Sequence, residues 1–150
     1  MVHLDAYGRA VDVSVWFDTA KKTGSPPDWS KMNDVLYHQG DIGTASYAVV
    51  PLVVPYLTDK ESSWEPFALI AAIEEARLLG RAPAIPAELK EVYHDAIASS
   101  IDHALRAFPH ASDALLVRSI IAVLSVAKGQ VAIATFALLD QSEQSELLSL

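Results

Sequence analysis

A periodic stretch in the middle of the chain most constrains how it folds. After Pro86, large apolar residues recur at spacings of three and four as far as Phe108. They are Leu89, Val92, Tyr93, Ile97, Ile101 and Leu105. This spacing predicts an amphipathic helix of about six turns. Pro86 suits its first turn and Pro109 ends it. Because such a helix must bury its apolar face against other elements, the flanking segments decide the fold class.

The flanking segments also carry helix signals. Asp28, and either Ser112 or Asp113, precede apolar segments as N-cap residues do, and Gly80 follows one as a C-cap glycine does. No strand pattern stands out, so we predict an all-α fold of six to seven helices in one domain, residues 1–150. Paired helices of these lengths can form a bundle or a short superhelix, and the pattern alone does not choose between them.

Four local features lead to more specific expectations. Asp12 can cap a helix over residues 12–22, but Val13, Val15 and Phe17 also alternate as in a strand, so both structures stay open there. In the segment ending at Gly80, Glu74 and Glu75 are expected to face solvent. Residues 131–139 are apolar on every side, which predicts a central helix. The chain is expected to end in a short helix over residues 143–150.

Composition excludes several classes of protein. With 51% hydrophobic and 20% charged residues, the chain is not intrinsically disordered. Its net charge of −8 repels phosphate backbones and favours a basic protein partner over nucleic acid. The absence of cysteine excludes disulfides, thiolate zinc sites and cysteine nucleophiles, and suits a reducing, cytoplasmic location. No signal peptide or stretch of about 20 apolar residues is evident, so we expect no membrane association.

Several short segments resemble a bacterial group of HEAT-like repeat proteins. They are Asp5-Ala6-Tyr7-Gly8, Asp12-Val13, Tyr37-His38-Gln39-Gly40, the segment 45–53 (ASYAVVPLV) and Ala84-Ile85-Pro86. The resemblance covers roughly residues 4–106; Pro55 and the short length depart from the group's pattern. It implies an α–α superhelix of ARM/HEAT type. It also implies an interaction role, since some HEAT-like proteins of bacterial toxin loci look like immunity proteins.

Four residues are candidates for a ligand pocket. His38 and Gln39 stand at a predicted helix end, where a polar pocket or an ordinary helix C-cap completed by Gly40 would both fit. Tyr47 and His94 join them as the first residues to suspect in a small-ligand or enzymatic site. The sequence contains neither a phosphate-binding loop nor a nucleophile elbow. The absence of these motifs favours a protein without enzymatic activity.

No metal or cofactor is expected. Glu91 and His94 form a Glu-x-x-His, the spacing that di-iron bundles use, but those sites need the motif twice. The pairs Glu74/Glu75 and Asp95/Asp102 are the carboxylates that would have to complete such a site. A solvated helix face explains the motif equally well.

The central helix also carries an acidic stripe. Asp95, Ser99, Asp102 and Arg106 fall on one stripe, where Asp102 and Arg106, four residues apart, are an expected ion pair. Glu91, Asp95 and Asp102 are the candidates for binding a partner. The stripe is either a partner-facing edge or a wet surface. Three hypotheses follow for function. The first is a protein-interaction scaffold, for example an immunity-type protein that binds a basic partner. The second is a small-ligand or enzymatic domain, and the third is an oligomerisation module that pairs through its apolar C-terminal helix.

Overall fold

The computed structural model describes residues 1–149, so Leu150 of the expected terminal helix lies outside the described residues. The described part is mostly helical, which confirms the all-α prediction. The described residues form eight α-helices: α1 (Ser14–Thr23), α2 (Trp29–Leu36), α3 (Thr44–Val53), α4 (Glu65–Leu78), α5 (Lys90–Ala107), α6 (Ala114–Ala127), α7 (Val131–Leu138) and α8 (Gln141–Leu148). Two short antiparallel hairpins, which the sequence did not predict, pair β1 (His3–Leu4) with β2 (Ala10–Val11) and β3 (Tyr37–His38) with β4 (Asp41–Ile42).

The helix count exceeds six to seven because short segments have their own start and stop signals. Gly129, with φ +71°, separates α6 from α7. Asp140 begins α8 with a complete capping box, in which its side chain accepts from the Glu143 amide and the Glu143 side chain accepts from the Asp140 amide. Of the two structures left open for residues 12–22, the helix is the one that forms, as α1 from Ser14 onward. Val13 rather than Asp12 is its N-cap residue, and Asp12 accepts hydrogen bonds from the amide and hydroxyl of Ser14 just before the helix.

The helices are arranged in two rows. In the first row, α3 lies between α1 and α5; in the second, α4 lies between α2 and α6. Successive helices also pack across the rows, α3 on α4 and α5 on α6. The last packed helix, α7, departs from this alternation because its main neighbours are α4 and α6 of the second row. One cluster of buried apolar side chains runs through the rows, from Val13 to Ala137.

The position of α7 corrects the expectation that residues 131–139 are central. Only Ala134 and Ala137 of this helix are buried, whereas 54% of Ile133 and 37% of Phe136 are exposed. The small side chains let α7 lie close against α4 and α6, and its large side chains face outward. None of the helices formed by residues 1–149 is both long and apolar enough to span a bilayer.

The N-terminal hairpin is attached to the helices at the start of α3. The backbone carbonyls of Leu4 and Asp5 come so close to Gly43 that a Cβ there would lie 2.2 Å from both oxygens. Asp5 closes the hairpin: burial disfavours its charge, but bonds from the Arg9 and Tyr7 amides and the Arg9 guanidinium outweigh this and hold the Asp5 pKa below its usual range.

The second hairpin corrects the expected helix end at residues 38–40. Helix α2 stops at Leu36, and His38 pairs with Asp41 across a two-residue turn. Both turn residues have positive φ, 49° at Gln39 and 91° at Gly40. That combination belongs to the tight turn that matches the twist of a hairpin, and a glycine at its second position relieves the strain. The predicted C-cap glycine is therefore a hairpin glycine.

Candidate functional site

A buried charged network links α4 to α5. Arg77 donates from Nε and Nη2 to the two carboxylate oxygens of Glu74, at 2.7 and 2.6 Å. The Tyr93 hydroxyl donates to Glu74 Oε2 at 2.6 Å, and Glu74 and Tyr93 are 3% and 0% exposed. The expectation that Glu74 faces solvent is therefore wrong, because partners on both sides satisfy its carboxylate in the interior.

The network also shifts the ionisation of its members. Burial, reinforced by the neighbouring Glu74 charge and the hydrogen bond to it, raises the Tyr93 pKa far above that of a free tyrosine. The paired hydrogen bonds to Glu74 raise the Arg77 pKa in turn. The guanidinium and the neutral phenol are therefore the states that this arrangement stabilises.

A second tyrosine connects the network to the loop before α5. Tyr47, on α3, packs edge-on against the Tyr93 ring with 5.0 Å between centroids. Its hydroxyl donates to the Pro83 carbonyl at 2.7 Å, and burial raises the Tyr47 pKa. This bond holds residues 81–86 against the helices, although the segment has no regular secondary structure before Pro86.

These elements line an open cleft of about 410 Å³ at the surface. Its principal lining residues are Tyr47, Arg77, Pro83, Ile85, Lys90 and His94. A smaller groove of about 300 Å³ shares Arg77 and His94 with it and continues between α5 and the end of α6. The cleft thus combines a guanidinium held by Glu74, an ammonium and an imidazole with apolar walls. Such donors suit an anionic group.

The structure separates the four sequence-predicted pocket residues into two pairs. Tyr47 and His94 line the same cleft, whereas His38 and Gln39 belong to the β3–β4 hairpin and are not part of its lining. His38 instead contacts the N-terminal hairpin: its Nδ1 lies 2.9 Å from the Tyr7 hydroxyl, and the two rings are 4.6 Å apart. Two segments that carry the HEAT-like resemblance, around Tyr7 and His38, thereby meet in space.

The acidic stripe lies on the exposed side of α5. Glu91, Asp95 and Asp102 are all exposed, and none makes a side-chain hydrogen bond or ion pair within residues 1–149. The expected pairing of Asp102 with Arg106 is wrong, because Arg106 turns to Asp59 at 3.2 Å.

The second predicted surface carboxylate of α4 is also buried. Glu75 is 7% exposed and accepts a hydrogen bond from Thr135 of α7 at 2.5 Å. With Glu74 and Glu75 both committed to other partners, they do not complete a metal site with Glu91 and His94. Within residues 1–149, no group of three His, Asp or Glu side chains is placed to hold a metal ion.

Sequence reasoning missed the residues at the centre of this site. Arg77 and Glu74 are three apart and carry opposite charges, which is the one local signal of their pairing. Tyr93 was recognised as an apolar-face residue, but nothing in the sequence shows that its hydroxyl meets Glu74. Lys90 carries no signal beyond its place near the start of the central helix.

Comparison of the chain with protein-family models, with curated proteins and with solved structures found no match. Its function is therefore inferred from its own residues.

Proposed function

We propose that this protein is a non-enzymatic interaction module that binds a basic protein partner through the acidic stripe of α5, defined as Glu91, Asp95 and Asp102. The observation that carries the proposal is that these exposed carboxylates have no cationic partner within residues 1–149. A like-charged row costs stability unless something else neutralises it, and the side chains of a binding partner can do so.

The helix that carries the stripe is well suited to present it. From Glu91 to Asp102 the stripe spans about 16 Å at 1.5 Å per residue. On the opposite side of α5, Tyr93, Ala96 and Ser100 are buried, so the helix is anchored in the core. A rigid row of charges loses little conformational entropy on binding. The net charge of −8 adds long-range attraction that speeds encounter with a basic surface.

An immunity-type role, in which the partner is a basic toxin, is the concrete form of this proposal. It is supported by the resemblance to HEAT-like proteins. The two rows of helices agree with the superhelix that this resemblance implies, while the placement of α7 is a departure from it.

Affinity capture with two charge-matched variants tests the proposal. In the stripe variant, the three stripe carboxylates become amides. In the control variant, D18N, D34N and E61Q remove three exposed carboxylates that make no side-chain hydrogen bond or ion pair among the described residues. Both variants change the net charge from −8 to −5. Wild type and both variants serve as bait in lysate of the source cell, with bound proteins identified by mass spectrometry.

We expect one basic protein to bind wild type and the control variant and to be lost from the stripe variant. Losing three exposed ion pairs of about 0.5 kcal/mol each weakens binding about tenfold. Binding should also fall between 0.1 M and 1 M salt, as the screening length shortens from about 10 Å to 3 Å. Equal retention by the two variants, or binding that salt leaves unchanged, would refute the proposal.

The exposed side of α7 supports a second candidate, self-association. Ile133 and Phe136 present large apolar side chains to solvent on a helix whose buried residues are alanines. Light scattering after size exclusion measures the mass directly. A dimer that Ile133→Glu converts to a monomer would favour an oligomerisation module, whereas a monomeric wild type at high concentration would remove this candidate.

A further inference from the structure

The cleft beside Tyr47 carries chemistry that the acidic stripe does not use. Arg77 donates to Glu74 from Nε and Nη2, while its Nη1 makes no hydrogen bond within residues 1–149. Arg77 lines the cleft, and Nη1 is its guanidinium nitrogen without a partner among the described residues. Lys90 and His94, one helical turn apart on α5, line the same space.

The charges around the cleft indicate what kind of molecule fits. Glu74 neutralises Arg77, so with His94 counted as neutral, Lys90 leaves one net positive charge in the lining. Glu91, the next residue, lies on the stripe rather than in the lining. One positive charge matches a monoanion, and the overall charge of −8 opposes a dianion.

The cleft is also organised before any ligand binds. Tyr93 and Glu74 hold the Arg77 guanidinium in one orientation, and Tyr47 holds the loop at Pro83. A buried carboxylate is costly to maintain, and here it positions a guanidinium at a surface cleft. A fixed guanidinium edge recognises the two oxygens of a carboxylate with little loss of side-chain entropy.

We propose that this cleft binds a small organic acid, with the carboxylate on Nη1 of Arg77 and beside Lys90, and the apolar part against Pro83 and Ile85. The volume of 410 Å³ lies within the range of small-molecule sites. This site is independent of the α5 stripe, since the stripe residues are not in its lining.

Nuclear magnetic resonance titration with benzoate tests the site, with benzamide as its neutral isostere. We expect benzoate at about 10 mM to shift the signals of Lys90, His94 and the Arg77 side chain saturably, as for a weak site with a dissociation constant of about 1 mM. Benzamide should bind much more weakly. Lys90→Gln should weaken benzoate binding about fivefold, the effect of removing one exposed charge about 4 Å away. Lys60→Gln, on an exposed turn outside the cleft, should have no effect.

Several results would overturn the assignment. These are shifts that do not saturate, equal binding of benzoate and benzamide, or the same loss in the Lys60 and Lys90 variants. Inorganic phosphate binding more tightly than benzoate would also overturn it, because the site would then prefer a phosphate group to a carboxylate. Lys90 is exposed and makes no side-chain hydrogen bond within residues 1–149, so its variant tests the site without disturbing the fold.

Discussion

Replacing Tyr93 with phenylalanine is the sharpest test of the buried network. The ring of Tyr93 is fully buried, so the substitution keeps its packing and removes only the hydroxyl that donates to Glu74. Glu74 keeps its two bonds from Arg77 but loses a third donor in a site that water does not reach freely. A hydrogen bond to a charged group contributes about 1.5–3 kcal/mol, so we expect the free energy of unfolding to fall by about 2 kcal/mol.

Urea denaturation measures this loss. The slope of the unfolding free energy against urea concentration should stay the same, because the surface area exposed on unfolding does not change. For a chain of this size the melting temperature should drop by about 4–8 °C. Tyr47→Phe is the matched control: its hydroxyl donates to the neutral carbonyl of Pro83, so a loss of about 1 kcal/mol is expected.

The pH dependence of the unfolding free energy is a second test of the same variant. The folded state raises the Tyr93 pKa above the ordinary value of 10.0, so the unfolded chain releases this proton first. The stability that the phenol contributes is present below pH 10 and declines as the pH rises above it. The difference in unfolding free energy between wild type and Tyr93→Phe should therefore become smaller above pH 10. A stability change below about 0.5 kcal/mol, or a larger loss in Tyr47→Phe, would refute the assigned role of the hydroxyl.

Three further substitutions probe other parts of the fold. Gly43→Ala places a methyl group 2.2 Å from the carbonyl oxygens of Leu4 and Asp5. Amide hydrogen exchange should therefore show the N-terminal hairpin detached while the helices stay protected. Unchanged protection of the hairpin amides would contradict this contact. Asp5→Asn should destabilise the protein at pH 7. Because the folded state lowers the Asp5 pKa below 3.8, the difference in unfolding free energy between wild type and variant should shrink as the pH falls below about 4. A difference that stays constant with pH would exclude this linkage. Thr135→Val removes the donor to buried Glu75 and should cost about 1–3 kcal/mol in thermal or urea unfolding, whereas Thr135→Ser, which keeps the hydroxyl, should cost less.

Local signals in the sequence were reliable where the interactions themselves are local. Asp28 caps its helix as predicted by accepting from the Lys31 amide, and Asp113, one of the two candidates for the start of α6, accepts from the Leu116 amide. The periodic stretch after Pro86 forms the longest helix of the described chain. In each case the partners lie within a few residues, so the pattern contains the information that the backbone uses.

The same reasoning failed where local chemistry allows two outcomes. His38-Gln39-Gly40 has the composition of a helix end, but Leu36 ends the helix and the glycine serves a hairpin turn. Both structures use a glycine with positive φ, so the residue type alone does not distinguish them. The structure has the hairpin rather than the helix end. It is identified by the pairing of β3 with β4 and by the contact of His38 with Tyr7, 31 residues away.

The sequence by itself determined that the chain is helical and where its main helices lie, but it left open whether the acidic face of α5 is exposed. Only the tertiary structure decided that Glu74 and Glu75 are buried, that α7 lies at the surface, and that Tyr47 and His94 share a cleft without His38. The physical reason is that backbone conformation responds to neighbours within a turn or two. The cost of burying a charge depends instead on donors such as Tyr93 and Thr135, which folding brings from 19 and 60 residues away.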